Sequence, residues 1–168
     1  MNLSPNSLAF IALCNEYCAA MESAATDTPE HFAQTMLRLL PRLYISATDI
    51  KESSPDPAYI DEAMDEEMYE TVRGSVAALL GEHDTYLEVF EDDMKYSDTP
   101  IAVSVSEGLT DIMQPLYNFV ELAKDAPVEL VEEALASVAD DFRNYWSRLL
   151  CNQLRAINAL LYSGAFDE

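Results

Sequence analysis

The sequence predicts an all-α protein, a single helical bundle of about five helices with a long helix at the C-terminal end. Apolar residues recur at intervals near 3.6 in five stretches, and helix-start signals precede four of them. Hydrophobic residues make up 49% of the 168 residues and only four are glycine, which is typical of a globular chain with few tight turns. No repeat or composition break divides residues 1–168, so we expect one domain.

The first two helices are predicted from the way they begin. Residues 4–5 (Ser-Pro) and 28–29 (Thr-Pro) each place a capping residue before a proline, the usual order at a helix start. The short connection between the two helices favours an antiparallel pair. Pro41 lies inside the second helix and removes one of its hydrogen bonds, so we expect a kink or an early stop there, and fraying beyond Tyr44.

A loop and an acidic third helix follow. Two prolines and no apolar period mark residues 51–58 as a loop. Helical spacing from Ile60 to Leu80 predicts the third helix, and Gly81 is a natural residue to end it. Residues 86–93 alternate briefly but have no partner strand of comparable strength, so we predict a loop with at most one helical turn, and no sheet.

The last two helices complete the bundle. Ser104 with Glu107 three residues later resembles a capping box and predicts the start of the fourth helix. Pro127 opens the longest periodic run, which Gly164 closes. If unbroken, this helix is about 50 Å long, and it forms either the spine of the bundle or two helices with a bend. Four of its apolar residues are expected to be mostly buried: Leu135, Phe142, Leu149 and Ile157.

The charge balance restricts the possible functions. The chain has 31 Asp and Glu against nine Lys and Arg, a net charge of −22. Such a chain repels phosphate backbones and anionic lipids, so binding to nucleic acid or to a membrane is not expected. The acidity is densest in residues 52–98, with fifteen acidic and two basic side chains. A solvated surface, a basic protein partner or bound cations would each explain it.

The N-terminal residues and the cysteines indicate a cytoplasmic location. The apolar stretch at residues 8–13 is too short for a signal core or a membrane span, and no basic region precedes it. Cys14 and Cys18 lie four residues apart on one predicted helix, a poor arrangement for a disulfide. With Cys151 they could form a zinc site if the first and last helices pack together, although their apolar faces favour core positions.

A set of carboxylates is the sharpest catalytic pattern. Glu62-x-x-Asp65 and Glu88-x-x-Glu91 each place two acids on one face if they are helical, at about the interval that all-α nucleotide pyrophosphatases use to hold Mg²⁺. Together with Glu66 they are candidate ligands for Mg²⁺ or Mn²⁺ in a metal-dependent hydrolase of a nucleotide or another phosphate ester. A solvated acidic face explains the same residues, and no other cofactor is expected.

An aromatic and basic cluster on the last helix is the candidate interface. It consists of Arg143, Tyr145, Trp146 and Arg148, residue types that interfaces favour. The alternative places Trp146 in the core and pairs the arginines with acidic neighbours. Because no catalytic motif stands out, the preferred hypothesis is a non-enzymatic interaction or scaffolding protein with an unidentified protein partner and an open oligomeric state. An acidic decoy for a basic protein surface is a further hypothesis.

Three stretches carry a resemblance to a known family. They are residues 10–18, residues 108–112, and Trp146 followed by residues 154–160. With them the sequence resembles DUF5063, a bacterial family of small helical proteins classed as a domain of unknown function. The resemblance covers nearly the whole chain and implies an all-α fold without an assigned activity. The family pattern has a histidine near Trp146 and another close to Ala156, where this chain has Cys151 and Asn158, so a role of those histidines would not carry over.

Overall fold

A computed structural model describes residues 3–88 and 101–167 of the chain, and helices make up most of this part. The helices are α1 Pro5–Glu22, α2 Pro29–Thr48, α3 Glu66–Leu80, α4 Val105–Ala123, α5 Val128–Asp141 and α6 Ser147–Tyr162. Between α5 and α6 a π-helical segment, Phe142–Trp146, continues the helix, which makes one helix of 35 residues. The predicted bundle of about five helices with a long C-terminal helix is therefore confirmed for the described residues.

Side-chain caps determine where four of the helices begin. Ser4, Thr28 and Ser104 each accept a hydrogen bond from a backbone N–H three residues later, as the sequence predicted for α1, α2 and α4. Asp65 does the same for α3, accepting from the N–H of Met68 at 2.8 Å. Each such cap stabilises a helix by about 1 kcal/mol, because it satisfies one of the unpaired N–H groups of the first turn.

The cap at Asp65 corrects the predicted start of the third helix. Helix α3 begins at Glu66 and not near Ile60. The backbone before the cap is bonded elsewhere, since the N–H groups of Ala63 and Met64 both donate to the Asn118 side-chain oxygen on α4 at 2.9 Å. This part of the chain is therefore held against α4 in a non-helical conformation.

Helix α2 corrects the expectation that Pro41 would end it early. The helix continues through Pro41 to Thr48. The proline removes only one hydrogen bond, and the apolar face continues past it with Leu43 and Ala47 buried. Packing on that face outweighs the lost hydrogen bond.

A two-stranded antiparallel sheet contradicts the prediction that residues 86–93 form a loop. Strand β1, Thr85–Glu88, pairs with β2, Ile101–Ser104, and Thr85 lies opposite Ser104. Each strand has only four residues, so neither shows enough alternation to be recognised alone. Residues 89–93 of the predicted loop lie outside the described residues. The 3₁₀ turn Gly81–Asp84 leads from α3 into this hairpin.

The core lies among α1, α2, α4 and α6, with α3 packed on α4. Its largest fully buried side chains include Phe10, Tyr17 and Trp146. The Tyr17 hydroxyl donates to the Leu109 carbonyl at 2.6 Å, which satisfies a buried polar group and ties α1 to α4. None of the helices in residues 3–88 and 101–167 is long and apolar enough to cross a membrane.

The four apolar residues of the last helix that were expected to be mostly buried all contact the core. Leu135, Phe142 and Ile157 are buried, and Leu149 is partly buried and packs against the core. Its neighbour Leu150 is 1% exposed and is the more deeply buried of the two. The π-helical segment Phe142–Trp146 adds one residue to a turn of this helix.

Candidate functional site

The proposed metal ligands do not come together in the part of the chain that the structure describes. Glu62 lies before α3, Asp65 caps that helix, Glu66 is exposed in its first turn, and Glu88 is buried at the end of β1. Glu91 lies outside the described residues. In residues 3–88 and 101–167 no group of three or more His, Cys, Asp and Glu side chains is placed to hold a metal ion. The helical spacing behind the hypothesis is absent, because Glu88 belongs to a strand.

The proposed interface cluster is divided between core and surface. Trp146 is fully buried, and its ring packs edge to face on Phe142 with 4.6 Å between the centroids. Its role as an exposed interface residue was therefore wrong, because it supports the core. Arg143 pairs with Asp140, and Tyr145 is 40% exposed. Arg148 also lies on the surface.

The three cysteines do not form a zinc site. Cys14 and Cys18 are buried in the core, whereas Cys151 is exposed on α6. Burial raises the pKa of the Cys18 thiol to about 12 and raises the pKa of Cys14 well above its usual value. Both thiols therefore stay protonated and act as small apolar side chains.

A cavity of about 160 Å³ lies where the hairpin meets α4 and α6. Its position depends on the first turn of α4, since Asp84 accepts hydrogen bonds from the backbone N–H and the hydroxyl of Ser106, each at 2.7 Å. These bonds hold the base of the hairpin against the helix. The polar side chains that line the cavity are Tyr86, Ser104, Glu107, Asp111, Asn152 and Gln153.

Gly108 allows α6 to approach α4 closely at the wall of the cavity. A Cβ atom at this position would lie only 1.8 Å from the Gln153 Nε2 atom. Gln153 therefore lies directly over Gly108, with 2% of its surface exposed. Its Nε2 donates to the Tyr86 hydroxyl at 3.3 Å, while its buried Oε1 has no hydrogen-bond partner among the described residues. A buried acceptor without a donor costs about 1–3 kcal/mol.

Asp111 is the half-buried carboxylate of the cavity. The Tyr69 hydroxyl on α3 donates to its Oδ1 at 2.6 Å. Burial raises the pKa of the Asp111 carboxyl, with a further rise from the negative charge of Glu107, although the Tyr69 hydrogen bond acts in the opposite direction. Burial and the Asp111 charge also raise the pKa values of Tyr69 and Tyr145. Both phenols therefore remain protonated hydrogen-bond donors at neutral pH.

The charged side chains that line the cavity, among the described residues, are the carboxylates of Glu107 and Asp111. Its described lining residues include no Lys, Arg, His or Cys. Two carboxylates and one amide oxygen are instead available to donors, and carboxylates form their strongest hydrogen bonds with cations. The arrangement therefore suits a cationic ligand rich in N–H groups.

The sequence singled out only part of this site. Gly108 and Asp111 lie within one of the stretches that carried the family resemblance, but Tyr69, Tyr86 and Gln153 were missed. A usable signal was present, because Gln153 lies three residues after a core leucine and four before a core isoleucine on the buried face of α6. A polar residue at such a position requires a partner.

Comparisons with known proteins place the chain in a wider context. A family model described as "Domain of unknown function (DUF5063)" matches residues 2–163. The crystal structure of protein BF1032 from Bacteroides fragilis, a Northeast Structural Genomics Consortium target, is similar with a TM-score of 0.83 and 28% sequence identity. The match covers 95% of this chain and 94% of that chain. The comparison with curated proteins gave no match.

Proposed function

This chain belongs to the DUF5063 family, and we propose that it is a non-enzymatic helical interaction protein that binds a basic segment of a partner protein. The observation that carries the proposal is its uncompensated acidity. Even if each of the nine Lys and Arg residues paired with one carboxylate, 22 of the 31 acidic side chains would remain without a basic partner. Such a surface attracts basic segments and accelerates their association.

The acidity is concentrated on one part of the fold, which we call the acidic face. It comprises the exposed carboxylates of α3 and of the residues next to its two ends: Asp61, Glu62, Asp65, Glu66, Glu67, Glu70 and Glu82. Residues 61–82 contain one basic side chain, Arg73, which pairs with Glu70 at 3.0 Å. Most of the charge on this face is thus available to a partner.

The chemistry of the cavity supports a binding role. Burial raises the pKa values of the Tyr69 and Tyr145 phenols, and the buried thiols of α1 are protonated, so neither kind of group supplies a nucleophile. Four of the five acidic residues considered for metal-dependent hydrolysis lie in the described part of the chain, where they form no cluster. The carboxylates of Glu107 and Asp111 and the amide oxygen of Gln153 are hydrogen-bond acceptors, which suit a bound cation.

Binding of model peptides tests the proposal. A fluorescent 12-residue peptide of alternating Arg and Ser should bind, with an affinity that falls as NaCl is raised from about 50 to 200 mM, because salt screens exposed charges. A peptide of alternating Glu and Ser, the matched control, should not bind. Fluorescence anisotropy measures both, and the absence of binding by the basic peptide would reject the proposed function.

A pair of charge-matched variants tests the location. The double variant Glu66→Gln/Glu67→Gln on the acidic face should weaken binding by about 2- to 30-fold, from about 0.2–1 kcal/mol for each exposed charge. Glu129→Gln/Glu133→Gln removes the same charge from exposed positions on α5 and should have a smaller effect. Equal losses in the two variants would show that net charge alone attracts the peptide, as in a decoy.

A further inference from the structure

The buried amide of Gln153 is a polar group that the described fold leaves half satisfied. Its Nε2 donates to the Tyr86 hydroxyl, but its Oε1 has no partner among the described residues. The side chain is held over Gly108 with 2% of its surface exposed, and it lines the cavity. Native structures rarely leave a buried amide oxygen in this state, so the described part of the site lacks one hydrogen-bond donor, which a ligand could supply.

Two carboxylates lie on the neighbouring wall of the same cavity. Glu107 and Asp111 are four residues apart on α4, so they lie one turn apart on one side of the helix. Glu107 is exposed and lies at the entrance of the cavity, while Asp111 is half-buried and lies further inside it. The Asp111 Oδ1 accepts from Tyr69, and its Oδ2 takes no hydrogen bond from the described residues. This oxygen is therefore available to a ligand.

We propose that this cavity is the subsite for one guanidinium group, supplied by an arginine side chain of the basic partner segment. The inference rests on the proposed function and names the group that is recognised. A guanidinium carries five N–H donors in one plane and keeps its charge. Its donors match the acceptors of three residues that line this cavity, which are Gln153 Oε1, Asp111 Oδ2 and the Glu107 carboxylate.

The size and the walls of the cavity fit this group. A volume of about 160 Å³ is several times the share of about 30 Å³ that one water molecule occupies in the liquid. Tyr86 adds an aromatic wall, on which a guanidinium stacks more readily than an ammonium. The three donors of a lysine ammonium are on one nitrogen atom. A lysine would therefore reach fewer of the acceptors, which lie on both α4 and α6.

The position of the cavity favours a side chain of a docked peptide. Tyr69, which bonds to Asp111, lies on α3, the helix that carries Glu66, Glu67 and Glu70 of the acidic face. A basic segment that lies along this face therefore passes close to the interior carboxylate. The acidic face would attract the segment, and the cavity would distinguish arginine from lysine.

The preference for arginine over lysine is the quantity to measure. The Arg-Ser peptide should bind the wild-type protein about tenfold more tightly than a Lys-Ser peptide of equal length, since paired charge-assisted hydrogen bonds are lost with lysine. Asp111→Asn, which keeps an oxygen for the Tyr69 hydroxyl, should reduce this ratio to about one to two. Glu66→Gln/Glu67→Gln should weaken both peptides and leave the ratio unchanged.

A second cavity variant controls for the possibility that Asp111→Asn lowers the ratio by disturbing the fold. Glu107→Gln changes an exposed residue at the entrance of the cavity, so it should retain the wild-type melting temperature and still lower the ratio. A wild-type ratio near one, or a ratio that both cavity variants retain, would overturn the subsite while the proposed function stands.

A small probe separates failure of the subsite from failure of the proposed function. N-acetyl-arginine methylamide should shift the side-chain amide signals of Gln153 in a ¹⁵N NMR spectrum, and N-acetyl-lysine methylamide should not. If neither peptide binds but the arginine probe still shifts Gln153, the protein partner is rejected and the cavity binds small guanidino compounds. If the arginine probe shifts nothing, the guanidinium subsite is rejected.

Discussion

Replacing Gly108 by alanine tests how α4 and α6 fit together at the cavity. In the interior of a helix, Gly→Ala stabilises by about 0.5–1 kcal/mol. Here the new Cβ would lie 1.8 Å from Gln153 Nε2 and 2.5 Å from its Cδ. The amide must therefore move, at a cost of about 1–3 kcal/mol for overpacking and about 0.5–1.5 kcal/mol for the lost bond to Tyr86.

The balance of these contributions predicts that Gly108→Ala lowers the free energy of unfolding by about 0.5–4 kcal/mol. Urea denaturation followed by circular dichroism measures this change. In a Gln153→Ala background the space above residue 108 is open, so the same substitution should instead stabilise the protein by about 0.5–1 kcal/mol. The sign of the effect should thus depend on residue 153.

Gly74 provides the matched control. It lies inside α3, and a Cβ added there would meet no atom within 4 Å. Gly74→Ala should therefore stabilise by about 0.5–1 kcal/mol. If Gly108→Ala stabilises the wild-type protein as much as this control does, Gln153 does not occupy the space over Gly108, and the geometry on which the subsite depends is wrong.

Two further stability measurements address the core and the buried carboxyls. Leu150→Ala should cost about 2–5 kcal/mol and Leu149→Ala less than half as much, because Leu150 is 1% exposed and Leu149 is only partly buried. Equal costs would contradict this difference in burial. Burial raises the pKa values of Asp111 and Asp141, so the folded state binds protons that the unfolded state releases. Their contribution is present in full below the unfolded carboxyl pKa of about 4 and is lost as the pH rises through the folded values. The melting temperature should therefore rise as the pH falls from 7 towards 4, and Asp111→Asn/Asp141→Asn should flatten this dependence; an unchanged profile would refute the assignment.

Features of the fold that depend on neighbouring residues were predictable from the sequence. The starts of α1, α2 and α4 follow from a capping residue and the three residues after it, and the structure shows each bond. The hairpin was not predictable in this way, since its two strands are short and are separated in the chain by residues 89–100. Pairing between such segments is decided by tertiary packing, which no local pattern records.

The site was harder to predict than the fold, for a related reason. Its polar groups come from α3, β1, α4 and α6, so no motif spacing connects them. The carboxylate pairs that did show a motif spacing relied on a helix that does not include Glu62 or Glu88. Two residues that break the helical pattern were informative. A glutamine on the buried face of α6 needs a hydrogen-bond partner, and a glycine inside α4 indicates a close contact at that position.

The buried face of α6 carries one polar side chain among apolar ones, and that side chain lies at the cavity. After the π-helical segment Phe142–Trp146, the buried residues of α6 are Leu150, Gln153, Ala156 and Ile157. The amide of Gln153 lies over Gly108 of α4 and reaches the Tyr86 hydroxyl. A buried amide needs hydrogen-bond partners that an apolar residue at the same position would not need. The Oε1 atom of Gln153 has none among the described residues, so the polar residue on this face is better explained by the cavity than by the packing of the core.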